Sequence, residues 1–392
     1  MPNTSPKLHD TYNHDLNNIT KSLIRKYAEA FAKIPDLVNL NLGEPGFNTP
    51  EHVKDAAVQS IVDNQTHYSP ELGWLETREA VSRFLKRSTT IDYDPLTEII
   101  IAHGAQEGLS SSFIATIDKG DQVLVPLPAY PAYMSIIELA KGEVIPIDTK
   151  ADNLKLTPKT LEKYLTKYPK AKEIILNYPT NPSGVVYTRD EMKALADVLQ
   201  KHGILVIADE VYSELTFDIP HTSIAEFIPD QTVIINGLSK SHAMTGYRFG
   251  YIAGPAELIQ KINMVHGTFL TSAPNVAQLA AIAALDHGAD DPKVMAKEYQ
   301  KRRDIMVKTL TDLGFELSIP EGAFYILAKI PSQFNETSEE FTMRLANEVH
   351  VGVTPGNAFG TSGKGYVRLS FAADPAKIKE AMSRLTTFVN AN

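Results

Sequence analysis

The strongest constraint in the sequence is an alternation. Between Glu98 and Gly254 short apolar runs recur at Ile99–Ala102, Gln122–Val125, Val144–Ile147, Glu173–Leu176, Ile204–Ala208, Val233–Asn236 and Phe249–Ala253. Between most of them lie segments such as Thr157–Tyr168 and Arg189–Lys201, whose apolar residues recur at the spacing of a helix. A strand that is apolar on both faces needs cover on both sides, and helices that carry the chain back between strands make those strands parallel. The pattern predicts an α/β fold with a mainly parallel seven-stranded sheet flanked by helices.

The flanks read differently. Residues 1–14 are polar and predicted to be loose. Thr20–Lys33 sets Leu23, Ile24, Tyr27, Ala28 and Phe31 on one helical stripe, and Gly43-Glu44-Pro45-Gly46 is a turn. Thr49-Pro50-Glu51 reads as a helix start, with Thr49 as cap and Pro50 as first helical residue. Another helix follows Gly73. Beyond Pro255 come three helical segments, Ala256–Phe269, Asn275–His287 and Pro292–Leu313, the last highly charged as suits a bridge between domains. The remainder, Phe315–Ile319, Phe324–Ile330, Ser338–His350, Tyr366–Phe371 and Pro375–Val389, alternates short strands and helices as a smaller α+β domain. The expected division is 1–48 as an arm and part of the small domain, 49–288 as the large domain and 289–392 as the rest of the small one. A net charge of −9 argues against nucleic-acid or anionic-membrane partners. The absence of cysteine excludes disulfides, thiolate metal sites and a cysteine nucleophile, and it fits a reducing cytoplasm. No apolar run approaches the roughly 20 residues of a membrane span, and MPNTSPKLHDTYNHDLNN lacks a signal-peptide core. The expectation is a soluble cytoplasmic protein without a metal.

Candidate chemistry gathers at strand ends, where open α/β sheets place ligands. In TVIINGLSKSHAMTGYRFGY (Thr232–Tyr251) a buried strand delivers Lys240 just past its end, and Arg248 follows after a small, flexible stretch. A lysine that condenses with an aldehyde, beside an arginine that holds a phosphate, suits pyridoxal phosphate, which also needs a carboxylate at its pyridine nitrogen. The strand Ile204–Ala208 runs into Asp209 with Tyr212 three residues on; Asp209 can serve that nitrogen or cap the next helix. After Ile101 the small turn at Gly104-Ala105-Gln106 opens a helix expected over Glu107–Thr116, which makes either a phosphate seat or a tight packing turn. Tyr130 in PLPAYPAY can stack on a flat ring or plug a rigid loop, and Asn181 in NYPTNPSG, a loop its prolines keep extended, can bond a ring oxygen or serve the turn. Arg368 stands in an apolar strand and wants a carboxylate, from a structural acid or an amino-acid substrate. His103 and His242 have no partner at metal-ligand spacing and read as packing or solvent residues.

Together these segments resemble the class I aminotransferases of pyridoxal-phosphate fold type I. NLGEP, YSPELGWLETREA, GAQEGL, PAYPAY, NYPTNPSG, ADEVY, SKSHAMTGYRFGY, GAFY, PGNAFG and VRLSF follow in the family's order over nearly the whole chain. The detail is similar to the branch of bacterial aromatic-amino-acid, aspartate and N-acetyl-diaminopimelate aminotransferases. The resemblance implies pyridoxal 5'-phosphate as cofactor, Lys240 as the lysine that bonds it and shuttles the proton, and Asp209 as its ring-nitrogen partner. It implies Tyr212 and Asn181 at the phenolic oxygen, Tyr130 stacked on the ring, and Ala105, Gln106, Arg248 and Ser239 around the phosphate. It further implies Arg368 at the substrate α-carboxylate, Gly43 on a loop closing over it, and Tyr68 reaching the phosphate of a partner subunit in a homodimer with shared sites. The implied reaction passes an amino group from an L-amino acid, aromatic or N-acetyl-L,L-diaminopimelate, to a 2-oxo acid such as 2-oxoglutarate. The rivals are a C–S β-lyase on the same scaffold and a cofactor-binding regulator without turnover; no basic DNA-binding segment precedes Thr49. No second arginine stands out for a dicarboxylate side chain.

Overall fold

Each of the seven apolar runs forms a strand of one sheet in the computed structural model, which describes residues 4–8, 11, 13–17, 19 and 22–392. The first segments are α1 (Leu23–Phe31), the two-residue strand β1 (Val38–Asn39), α2 (Glu51–Val62) and α3 (Leu75–Thr89). The alternating region follows as β2 (Ile99–Ala102), α4 (Ala105–Thr116), β3 (Gln122–Leu127), α5 (Ala132–Leu139), β4 (Glu143–Asp148) and α6 (Pro158–Lys167). It continues with β5 (Ala171–Asn177), α7 (Arg189–His202), β6 (Leu205–Asp209), β7 (Thr232–Gly237) and β8 (Gly250–Ala253). The strand order is β2-β8-β7-β6-β5-β3-β4. All neighbours are parallel except β8, which runs antiparallel to both β2 and β7. The reason is local: only a 3-10 turn, Thr245–Tyr247, lies between β7 and β8, and without a crossover helix the chain returns in the opposite sense.

Side chains along the strands alternate between two covers. Ile100, Val123, Ile175, Ile207 and Ile235 pack with Leu109 and Phe113 of α4 and Ile136 and Ile137 of α5. Leu124, Ile174 and Val206 pack with Leu161 of α6 and Leu195 and Leu199 of α7, while Ile99 and Ile234 meet α2 and α3. Period-two burial on both faces is what makes the runs continuously apolar.

The chain then forms α8 (Ala256–Phe269), α9 (Asn275–His287) and α10 (Asp291–Asp312), followed by β9 (Glu316–Leu317), β10 (Tyr325–Lys329) and α11 (Ser338–Val349). Strands β11 (Val351–Gly352), β12 (Thr354–Pro355) and β13 (Tyr366–Ser370) and helix α12 (Pro375–Ala391) complete it. A four-stranded antiparallel sheet, β12-β13-β10-β9, packs against α10, α11 and α12 in a separate core that also buries Val38 and Leu40. There β1 pairs parallel with β11, Val38 opposite Val351.

Several local expectations are corrected. Pro50, not Thr49, is the N-cap of α2, and the Thr49 hydroxyl instead donates to the carbonyl of Ala243 at 2.8 Å. Helix α4 begins at Ala105, two residues before the expected start. The NYPTNPSG loop folds into a turn rather than staying extended: the Gly184 N–H donates to Thr180 O at 2.8 Å, and the Tyr178–Pro179 peptide is cis. Of residues 1–14, predicted loose, 1–3, 9, 10 and 12 lie outside the described residues, and the rest include the 3-10 turns Pro6–Leu8 and His14–Asn17. Thr20, the expected start of the first helix, also lies outside the described residues, and α1 is capped by Ser22. Among the described residues no helix is long and apolar enough to cross a membrane.

Candidate active site

Strands β2, β5, β6 and β7 run in the same direction, so Ala102, Asn177, Asp209 and Gly237 end at one edge of the sheet. Because β8 is reversed, its start lies at that edge too, which brings Arg248 back beside Lys240. A cavity of about 560 Å³ opens there, lined by Gly43, Ala105, Gln106, Tyr130, Asn181, Asp209, Tyr212, Ser239, Lys240, Arg248 and Arg368. Tyr68 does not line it; its side chain stands 79% exposed on the surface. His242 is buried, bonding Ser241 and the Gly288 carbonyl, away from the cavity.

Lys240 donates from Nζ to the carbonyl of Gly43 at 2.7 Å. Burial pushes its amine down to about 8; the charge of Glu44 pulls it back up, while Arg368 and Arg248 push it further down. Asp209 is the reverse case. Burial raises its carboxyl to about 6, against a hydrogen bond from the Tyr133 hydroxyl at 2.5 Å and one from the Val211 N–H at 3.2 Å. Asp209 does not cap a helix, since a turn follows it. The Tyr212 and Tyr325 hydroxyls share a hydrogen bond at 2.9 Å, and burial raises both phenols.

The helix start at Ala105 leaves the Ala105 and Gln106 N–H groups at the free end of α4, pointing to the cavity edge. Gly104 is its N-cap, at φ +81, and a Cβ there would lie 2.5 Å from Arg248 Nη2. Arg248 itself holds a left-handed φ of +59 and donates to the Thr245 carbonyl at 3.0 Å. Tyr130 stands over this end, its hydroxyl donating to Gln106 Oε1 at 3.4 Å.

Arg368, 1% exposed, donates from Nη1 to Asn181 Oδ1 at 3.0 Å and from Nη2 to the Asn41 carbonyl at 2.7 Å. Tyr325 and Phe359 lie against its guanidinium at 4.3 and 4.8 Å. Its Nε is buried without a partner, and no carboxylate among the described residues pairs with it. A buried guanidinium without an acid is costly unless a ligand supplies one.

Sequence reasoning passed over several groups here. Asn177 donates from Nδ2 to the Asp209 carbonyl at 2.8 Å and accepts from the Asn181 N–H at 3.0 Å, joining two strand-end loops. Its place at the last position of β5 was the available signal. Asn41 and Glu44 in NLGEP, Tyr133 in PAYPAY and Tyr325 in GAFY lie within segments that the sequence singles out, but nothing in those segments assigns them to the site; Arg25 lies outside all of them.

The sequence profile of the family Aminotransferase class I and II matches residues 35–385. The chain is 41% identical over 377 residues to a probable N-acetyl-LL-diaminopimelate aminotransferase of Bacillus subtilis, covering 96% of this chain and 95% of that one. It is 36% identical over 376 residues to an aspartate aminotransferase of Pyrococcus abyssi, covering 94% and 96%. The solved aspartate aminotransferase from Thermus thermophilus with maleate superposes with a TM-score of 0.91 at 31% identity, covering 96% of this chain and 99% of that one. The fold and these likenesses define a pyridoxal-phosphate enzyme of fold type I. The chain belongs to the class I and II aminotransferases; it is an aminotransferase, and its cofactor is pyridoxal 5'-phosphate.

Proposed function

We propose that the enzyme passes the amino group of an L-amino acid, aromatic or N-acetyl-L,L-diaminopimelate, to 2-oxoglutarate, both substrates taking turns in the one cavity. The observation that carries this reading is Arg368. It is buried, lacks an acid, has an unpaired Nε and faces the same cavity as a lysine amine held near 8. A substrate α-carboxylate supplies the missing partner, bound bidentately.

The other lining groups fit pyridoxal phosphate. The free N–H groups at Ala105 and Gln106, with Ser239 and Arg248, offer a seat for its phosphate, and the missing Cβ of Gly104 is what lets the Arg248 guanidinium lie against this helix start. Asp209 serves the ring nitrogen, Tyr212 and Asn181 the phenolic oxygen, and Tyr130 the ring face. When bound, the cofactor supplies an aldehyde for the amine and a ring that takes up electrons as the substrate α-proton leaves. Lys240 would hold that aldehyde, and its amine, held near 8, would be the group that moves the substrate α-proton once free. Asp209 would be the carboxylate that holds the ring nitrogen protonated. Gly43 holds Lys240 through its carbonyl and carries the loop over the substrate.

The division at 1–48, 49–288 and 289–392 gives a cofactor-bearing part and a second part that closes over it; the core that Val38 and Leu40 share mostly with residues from Met295 onward supports it, with Tyr212 and Leu215 of the large part reaching into that core. A homodimer with shared sites is supported by Tyr68, exposed outside its own cavity, and by Val58, Ile61 and Val62, exposed on one face of α2. The lack of cysteine fits work in the cytoplasm.

The test is a panel of amino donors against 2-oxoglutarate, read as release of the matching 2-oxo acid and of glutamate. Equal release from an aromatic donor or N-acetyl-L,L-diaminopimelate supports the reading. Pyruvate and a thiol from a sulfur amino acid, with no glutamate, would make it a β-lyase instead.

A further inference from the structure

Four cations line the cavity, Arg25, Lys240, Arg248 and Arg368, against two acids, Glu44 and Asp209. The roles above employ three of the cations and Asp209. Glu44 belongs with Lys240, on whose amine its charge acts, next to the Gly43 carbonyl that Lys240 holds. Arg25 is left over.

Its place is built rather than incidental. The N-cap Ser22 accepts from the Arg25 N–H at 3.4 Å. Leu23, Tyr27 and Phe31 form the stripe by which α1 packs on Ala346 and Met343 of α11, so Ile24 and Arg25 turn to the cavity, where Leu42 adjoins them. Asn41 links this turn to Arg368: its carbonyl accepts from Arg368 Nη2 at 2.7 Å, and its Nδ2 donates to the Ile24 carbonyl at 3.4 Å. Its Oδ1 is held in turn by the Thr354 hydroxyl. Two hydrogen bonds therefore set the start of α1 relative to the guanidinium that takes the α-carboxylate. Among the described residues no acid lies within ion-pair distance of Arg25.

We infer that Arg25 is a specificity-determining residue that takes a second, distal carboxylate, so that the cavity accepts dicarboxylic amino and 2-oxo acids. The α-carboxylate lies on Arg368, an apolar spacer on Ile24 and Leu42, and the far carboxylate on Arg25. This rests on the reading of Arg368 as the α-carboxylate site. Arg25 is exposed, so leaving it solvated costs little, and its long side chain swings aside for a donor whose side chain ends in an apolar group. One cavity thereby serves a dicarboxylic acceptor and an uncharged donor.

Non-reacting ligands test this on the cofactor-loaded enzyme. Glutarate and pentanoate share a chain length and differ in the far carboxylate. Calorimetric titration of the wild type is expected to favour glutarate by about tenfold or more, the worth of one charge-assisted contact. Arg25→Gln should remove most of that preference while leaving pentanoate within about twofold, and the same charge change next door, Lys26→Gln, should alter neither. In turnover, Arg25→Gln should raise KM for 2-oxoglutarate about tenfold and leave pyruvate unchanged. A glutarate-to-pentanoate ratio that is the same in wild type and Arg25→Gln, or close to one in the wild type, overturns the inference. The underlying reading fails separately: if Arg368→Ala binds pentanoate as the wild type does, Arg368 is not the α-carboxylate site.

Discussion

A lysine amine in water is almost wholly protonated at pH 7, whereas burial and two nearby guanidinium groups bring Lys240 to about 8. About a tenth of it is then free amine at pH 7, ready to attack an aldehyde. In the unloaded protein an amine-acylating reagent, followed by peptide mapping, should modify Lys240 with a midpoint near pH 8. A rise only toward the ordinary 10.5 would show that its surroundings do not free the amine. Asp209 shows the opposite side of the same balance. Its folded pKa of about 6 lies above the ordinary 3.8, so protonation favours the folded state; that stability is present below 3.8 and lost as pH rises through 6. At pH 7.5 the unloaded enzyme thus holds a buried charge that, among the described residues, has no ion-pair partner and only the more distant charge of Lys240 in its favour. Asp209→Asn should stabilise the unloaded protein at pH 7.5 by roughly 1–3 kcal/mol and slow turnover severely. The stability advantage should shrink by about 1 kcal/mol on going to pH 5. Chemical denaturation at the two pH values checks this; an advantage independent of pH would mean that Asp209 is not the group that titrates.

Between elements, the closest approach that matters is that of β8 to the start of α4. A Cβ on Gly250 would lie 2.5 Å from the Gly104 carbonyl carbon and 2.6 Å from the Ala105 nitrogen, both backbone atoms that cannot rotate away. Gly250→Ala should therefore displace the free end of α4, destabilising the unloaded protein by roughly 1–3 kcal/mol and weakening cofactor binding. Denaturant melts and absorbance titration with pyridoxal phosphate measure the two effects, and unchanged cofactor affinity would remove the α4 start as the phosphate seat. Little of this contact was legible in the sequence, although the strands that make it were. Runs such as Ile99–Ala102 announce themselves because both faces are buried, and strand ends then locate Lys240, Asp209 and Asn181. The direction of β8 has no periodic signature, since it follows from a connection too short for a helix. Ala105 and Gln106 carry no apolar rhythm, so α4 read as starting late. The two-residue strands β1, β11 and β12 are below the length at which a period can be seen. Arg25 and Tyr325 escaped for another reason: α1 packs on α11 and β10 lies in the smaller sheet, and only packing turns them toward the edge of the large one.

At the scale of the whole molecule, Tyr68 decides whether one chain is enough. Lys240→Ala and Tyr68→Ala should each be impaired alone. If Tyr68 serves the neighbour's site, a mixed dimer gathers both defects in one site and restores the other, so activity should rise toward one working site per dimer. Flat activity across the mixing series, with mixed dimers verified by mass, would assign Tyr68 to its own chain or to packing. The same molecule carries a constraint on its own making. Asn41 and Arg368 lie 327 residues apart in sequence, yet one holds the other, and Val38 finds its strand partner only at Val351. On the ribosome, the segment around Val38 and Leu40 leaves the exit tunnel early, and its strand partner at Val351 follows only when most of the chain has been made. A product cut short before Arg368, or begun after Asn41, therefore carries no finished arginine clamp.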